Sequence, residues 1–166
     1  QEKLFPMIPE NQKLLKNIKI LIQGFNIFKL PILISEQVPD KLGLTIEPIK
    51  TLAPNIKPII KSSFSCMLEP SFKQRISDLD SIDGFVICGL EAHICVYQTV
   101  RDLLLEGYKV EVLSDGVASR NIQNKQIAID RINNEGGGIS SVEMFLFHLQ
   151  ETSKSPTFKK LSNLVK

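Results

Sequence analysis

From Asn11 to Lys29 the apolar residues recur at helical spacing, with Leu14, Leu15, Ile18, Leu21, Ile22 and Phe25 falling on one face. That period predicts an amphipathic helix, entered after Pro6 and Pro9 with Glu10 and Asn11 as capping groups. Pro31-Ile32-Leu33-Ile34 is a short continuous apolar run, the pattern of a strand buried on both faces. A stretch rich in Pro, Asp and Gly from Glu36 to Pro54 reads as loop. Ile56 to Ile60 reads as the next strand, kept short or near an edge by Pro58. Ser71 to Leu79 has the pattern of a short helix.

The clearest unit follows. Gly84-Phe85-Val86-Ile87-Cys88-Gly89 is an apolar strand ended by glycine, and Glu91 to Glu106 is a helix. Its apolar face carries Ala92, Cys95, Val96, Thr99, Val100, Leu103 and Leu104, and Gly107 occupies the usual stop position. Tyr108 to Leu113 is the next strand, which completes a right-handed βαβ unit. Ile122–Asn133, Ser141–Leu149 and Phe158–Val165 read as further helices, with a Gly136-Gly137-Gly138 turn and a brief strand at Ile139. Buried strands alternating with helices predict an α/β fold: a three-layer, doubly wound, mainly parallel sheet covered on both faces.

Length adds that residues 1–166 form a single domain, large enough to bury a core without a metal or disulfide staple. Twenty Lys and Arg against 18 Asp and Glu leave a net charge of +2. That balance argues against a polybasic nucleic-acid tail or a disordered acidic chain. No apolar run approaches a membrane span. Three cysteines, none closely paired, point to reduced thiols and a cytoplasmic setting. The chain opens on Gln1 rather than methionine, and Gln1-Glu2-Lys3 resembles no signal peptide or tag.

Ligands of such sheets bind beyond the carboxyl ends of the strands. The reactive residues predicted there are Ser35, Glu36 and Gln37; Lys61 to Ser65; Gly89 to Cys95; and Ser114, Asp115, Ser119 and Arg120. Cys95 has two readings on spacing. Near a helix start, unpaired N–H groups and a nearby Lys61 would favour thiolate; in phase with Val96 and Thr99, it is an inert core thiol. Lys61 is either that partner or a strand-ending lysine reaching solvent. Cys66 and Cys88 read as bystanders. His93, two residues before Cys95, belongs to a different helix face and so to the rim or to solvent. His148 reads as packing or surface. Two histidines without carboxylate–histidine spacing give only weak support for a zinc site, and the Gly136–Gly138 run lacks the strand–GxGxxG–helix order of a dinucleotide site.

Several ordered motifs carry a family likeness. The run from Val86 through Cys88-Gly89-Leu90-Glu91-Ala92-His93-Ile94-Cys95-Val96, with Thr99, Asp102 and Gly107, resembles the nucleophile segment of the isochorismatase-like cysteine hydrolases. Asp115-Gly116-Val117-Ala118-Ser119-Arg120 is similar to the family's Asp-Ala-x-x-Ser-Arg. Lys61-Ser62-Ser63-Phe64-Ser65 is similar to its Lys-x-x-(Phe/Tyr)-Ser. Ser35-Glu36-Gln37-Val38-Pro39 with Leu42-Gly43 resembles the branch of isochorismatase domain-containing proteins. The likeness spans essentially the whole chain.

The resemblance implies a Cys–Lys–Asp triad that hydrolyses a small amide, ester or related carbonyl compound. Cys95 takes the nucleophile's place and Lys61 that of the lysine. The backbone N–H groups of Glu91 and Cys95 form the implied oxyanion hole, with a cis peptide between Leu90 and Glu91. Gln37 and Phe64 are expected at the substrate by position. Gln1 matches the Gln of the family's Asp-x-Gln, so the Asp is expected two residues before Gln1, on a first strand also upstream. A domain without that strand would expose a long unsatisfied slot. The family's nicotinamidases build a zinc site from histidines before the lysine, and none precedes His93 here. Isochorismatase itself lacks the cysteine. The expectation is therefore a metal-free hydrolase without cofactor, acting on a small molecule, with no nucleic-acid or membrane partner and with homo-oligomers. Apolar residues at Phe25–Phe28 and Phe145–Phe147 are the expected interfaces. Two alternatives stand beside it: a non-catalytic oligomeric or interaction protein on the same fold, and a peroxide-reactive thiol protein.

Overall fold

Two separate parallel sheet fragments form the middle layer of the structure, a computed structural model that describes residues 1–166. A short 3-10 turn at Phe5–Met7 leads into helix α1 (Asn11–Phe28). Strand β1 (Ser35–Gln37) is followed by one-turn helices α2 (Pro39–Leu42) and α3 (Glu47–Lys50), and then by β2 (Ile59–Lys61). A second 3-10 turn (Cys66–Leu68) and α4 (Pro70–Ser77) lead to β3 (Gly84–Leu90). Beyond β3 a π-helical turn (Ala92–Val96) runs into α5 (Tyr97–Leu105). The chain ends with β4 (Lys109–Ala118), α6 (Ile122–Asn134), β5 (Gly138–Ser140), α7 (Val142–Gln150) and α8 (Phe158–Leu164).

β1 and β2 pair in parallel from Ser35 opposite Ile59 to Gln37 opposite Lys61. β3, β4 and β5 form the other fragment, also parallel and in that order. Alternation along β4 sends its side chains to opposite faces. Val110 and Val112 join Val96, Val100, Leu103 and Ile132 on one side. Leu113 joins Leu21, Val142, Leu146 and Leu161 on the other. Helices therefore cover both faces, and the three-layer α/β architecture follows. Each fully enclosed leucine contributes about 1.5–3 kcal/mol by burial. α5 stops where Gly107 turns left-handed (φ +86°), so that Tyr108 N–H reaches back to the Leu103 carbonyl at 3.1 Å.

Several element boundaries differ from the sequence reading. Pro31–Ile34 is extended but unladdered, and the strand lies at Ser35–Gln37 instead. Pro31 has no N–H to offer. In this run the cross-strand bond is Ile59 N–H to the Ile34 carbonyl, 2.8 Å. β4 continues five residues past Leu113. Ser114 and Asp115, placed beyond the strand end by the sequence, lie with Gly116 in a bulge between the pairings Ile87–Val112 and Gly89–Val117. The Asp115 carboxylate then accepts from Val142 N–H at 2.8 Å and fastens the start of α7. The loop read from Glu36 to Pro54 contains two single helical turns. Phe25 and Phe145, expected at an intermolecular interface, stack on one another within the chain at 6.2 Å.

Between the two fragments lies an apolar slot of about 700 Å³. Leu33, Ser35 and Gln37 line one side and Val86, Cys88 and Leu90 the other. Leu21, Phe25 and Phe145 close one face, and Phe72, Val96 and Thr99 the other. β3 is apolar throughout yet has no fully buried residue, because its slot-side edge is unpaired; Val112 and Leu113 on neighbouring β4 are wholly enclosed.

Candidate active site

The slot opens at the carboxyl ends of the strands, and there the two sheet fragments bring their polar residues together. β2 ends on Lys61, which is 4% exposed. Its ammonium donates to Gln37 Oε1 at 2.5 Å, to the Ser63 carbonyl at 2.9 Å and to the Phe64 carbonyl at 2.8 Å. All three protons are used, and every acceptor is a neutral oxygen. No carboxylate lies within ion-pair distance of this buried cation. Gln37 ends β1 directly beside Lys61 in the register, which is why its side chain meets the ammonium. Its own Nε2 donates to the Ser62 carbonyl at 2.7 Å.

Cys95 comes from the other fragment, in the π-helical turn after β3. Its Sγ lies 3.9 Å from Gln37 Oε1, the oxygen that also receives Lys61. Burial pushes the Cys95 thiol up, and the Lys61 charge and hydrogen bonding oppose it, as does the Glu91 backbone N–H that faces the sulfur. The sequence argument that a helix start lowers this thiol is thus outweighed by enclosure. The Leu90–Glu91 peptide is cis. The Glu91 carbonyl accepts from Ile94 and Val96 N–H at 3.1 and 3.2 Å, which fastens the turn bearing Cys95.

The other expected residues fall into distinct places. Phe64 reaches Lys61 through its main-chain oxygen, while its ring is 51% exposed and lies outside the slot lining. His93 points away from the sulfur: Nδ1 is 2.9 Å from Ser119 Oγ and Nε2 is 3.7 Å from Glu91 Oε2. His148 is exposed. Cys66 and Cys88 both line the slot with Cys95. No group of three or more His, Cys, Asp or Glu side chains is placed to hold a metal ion.

Three contacts escaped the sequence reading. Glu69 accepts from Ser62 N–H and Ser63 N–H, each at 3.1 Å, and from the Ser63 hydroxyl, so it pins the loop whose carbonyls hold Lys61. The Ser63 hydrogen bonds hold its carboxyl below the usual range. Thr99 Oγ1 accepts from Cys66 N–H at 3.0 Å, joining α5 to the turn after that loop. Arg120 donates to the buried Glu91 carboxylate, Nε to Oε1 at 2.6 Å. A Ser63–Glu69 spacing is a common local pattern and carries no distinguishing signal. Arg120 was visible as a strand-end residue but not as the partner of Glu91.

The isochorismatase domain pattern matches residues 1–144. The chain belongs to the isochorismatase family. It is 34% identical over 149 residues to a secreted isochorismatase effector of Phytophthora sojae, covering 88% of this chain and 71% of that protein. Isochorismatase domain-containing protein 1 of Salmo salar is 31% identical over all of this chain, which spans 58% of that relative's length. Among solved structures, a MAR1 ribonuclease from Caenorhabditis elegans superposes with a TM-score of 0.91 at 30% identity, covering 99% of this chain and 84% of that one. The fold is the one shared by the solved structures on which this chain superposes. No helix is long and apolar enough to cross a membrane.

Proposed function

We propose that this isochorismatase-family chain hydrolyses a small amide, ester or related carbonyl compound through Cys95. The observation that carries the reading is the convergence of Lys61 Nζ and Cys95 Sγ on one oxygen of Gln37, at the mouth of an apolar slot. The Cys95 thiolate attacks the substrate carbonyl carbon, and the carbonyl electron pair moves to oxygen. Backbone N–H groups of Glu91 and Cys95 receive that oxyanion, with Lys61 as a fixed positive charge. The amine or alcohol leaves with a proton and a thioester remains on Cys95. Water then attacks the thioester carbon, the C–S bond breaks, the acyl group leaves as the carboxylic acid, and the proton given up by water returns to the Cys95 sulfur.

The proton carrier in this reading is an Asp two residues before Gln1, on a strand seated in the slot. Three observations support it. Both sheet fragments leave a parallel edge open toward the slot, and Lys61 is buried without a carboxylate. Gln1 also stands at the carboxyl-end mouth, its side-chain amide donating to the carbonyls of Gln37 at 3.1 Å and Gly43 at 3.0 Å. A parallel strand in the slot would deliver the chain to that point.

The test is acyl transfer from p-nitrophenyl acetate to the natural protein, with digestion and mass analysis of the Cys95 peptide. An acetylated Cys95 that turns over, and a Cys95→Ala protein that does neither, are the expected results. Turnover that survives Cys95→Ala overturns the reading. A Cys95 that never acylates favours the second reading, a non-catalytic, self-associating protein on the same fold.

A further inference from the structure

Glu91 is used twice. Its backbone N–H favours the Cys95 thiolate and its carbonyl accepts from Ile94 and Val96 N–H, on either side of Cys95, at 3.1 and 3.2 Å, while its carboxylate is 3% exposed. Behind it the end of β4 supplies a set of donors. Arg120 approaches with Nε at 2.6 Å from Oε1 and Nη2 at 3.4 Å from Oε2, and its own backbone N–H lies 3.3 Å from Oε1. His93 stands 3.7 Å from Oε2 and is itself tethered to Ser119, a buried residue next to Arg120 in the chain. A carboxylate withdrawn from water is costly unless paired in this way. Three contacts from Arg120, with His93 bridging to Ser119 as a second link, therefore tie the residue after β3 to the residues after β4.

Pairing between β3 and β4 ends at Leu90 opposite Ala118. Past that point the ladder no longer fixes the backbone that carries the N–H, and the side-chain clamp begins one residue later. We propose that the Glu91–Arg120 clamp sets the direction of the Glu91 peptide N–H toward Cys95, making both side chains positioning residues for the nucleophile. The inference rests on the reading of Cys95 as nucleophile, and it goes further by assigning the family-like Ser119-Arg120 pair a task at the sulfur. Neither side chain touches the sulfur. The planar guanidinium makes the difference: it reaches both carboxylate oxygens at once, which an ammonium on a flexible stem does not.

The test is the pH profile of Cys95 alkylation by iodoacetamide, followed on the Cys95 peptide so that Cys66 and Cys88 do not contribute. The titratable neighbours facing the sulfur are Lys61 and Cys66, and both stay in place. Arg120→Lys keeps the charge and loses the two-oxygen grip. The expected result is a midpoint raised by about half a pH unit or more, because an N–H that drifts away no longer favours thiolate. Glu91→Gln, which keeps an acceptor for Arg120 Nε, is expected to shift less than Arg120→Ala. An Arg120→Lys midpoint equal to that of the unaltered protein, with only the melting temperature lowered, overturns the proposal. Should Arg120→Ala fail to fold, the Arg120→Lys and Glu91→Gln comparison decides it. A Cys95 that never alkylates at any pH overturns the nucleophile reading instead, so the two failures are distinct.

Discussion

Gln37 Oε1 lies 2.5 Å from Lys61 Nζ, and the same oxygen is 3.9 Å from Cys95 Sγ. A neutral amide thus stands between the cation and the thiol and contacts both. Gln37→Glu keeps the shape and puts a negative charge there. Its effect on the sulfur is like-charge repulsion, and it also supplies Lys61 with an ion-pair partner. The expected outcome is a Cys95 alkylation midpoint raised by about one pH unit or more, with a matching loss of any Cys95-dependent turnover at neutral pH.

Lys61 opposes the rise that burial imposes on Cys95. Lys61→Met retains much of the stem and removes the charge, so the thiol should rise further and alkylation near neutral pH should slow by about tenfold or more. Lys61→Arg should recover part of the rate. Rates of iodoacetamide labelling on the Cys95 peptide check both.

Enclosure pushes the Cys88 thiol up to about 11 from an ordinary 9.0. The sign follows from proton counting: between those two values the unfolded chain has released this proton and the folded chain still holds it. Stability is therefore expected to fall as pH rises through that window. Urea melts across it should show a shallower decline for Cys88→Ala than for the unaltered protein, the difference isolating this thiol from lysines and tyrosines that titrate nearby.

Leu103 is fully enclosed and sits between α5 and the sheet in the larger core cluster. Leu103→Ala removes its contacts and leaves a cavity, at a cost of about 2–5 kcal/mol. Chemical denaturation should report that loss. Ile122→Ala, at a residue 62% exposed, should change stability by less than about 0.5 kcal/mol.

Periodicity made the helices legible because each buries one stripe: α1, α6, α7 and α8 lie within a residue or two of where their apolar spacing puts them. The parallel βαβ unit was legible for the same reason, from an uninterrupted apolar run before α5. β1 was not. Whether Pro31–Ile34 or Ser35–Gln37 becomes laddered depends on what lies across from each, and that is a pairing property absent from local pattern. Asp115-Gly116 misled because the same dipeptide suits a strand end and a bulge. At the site, motif order brought out Cys95, Lys61 and Gln37. It gave Phe64 a side-chain task, whereas its contact with Lys61 runs through the main-chain carbonyl. The Glu69 and Arg120 contacts are invisible to motif reading, since they depend on loops folding back over several residues.

Lys61 and Gln37 ride on one sheet fragment, while Cys95 and Glu91 ride on the other. The distance between charge and sulfur therefore spans the slot between the fragments. Phe25 and Phe145, stacked on one another, line that slot. A change at either ring therefore bears on the surroundings of the thiol while every polar residue of the site stays unchanged.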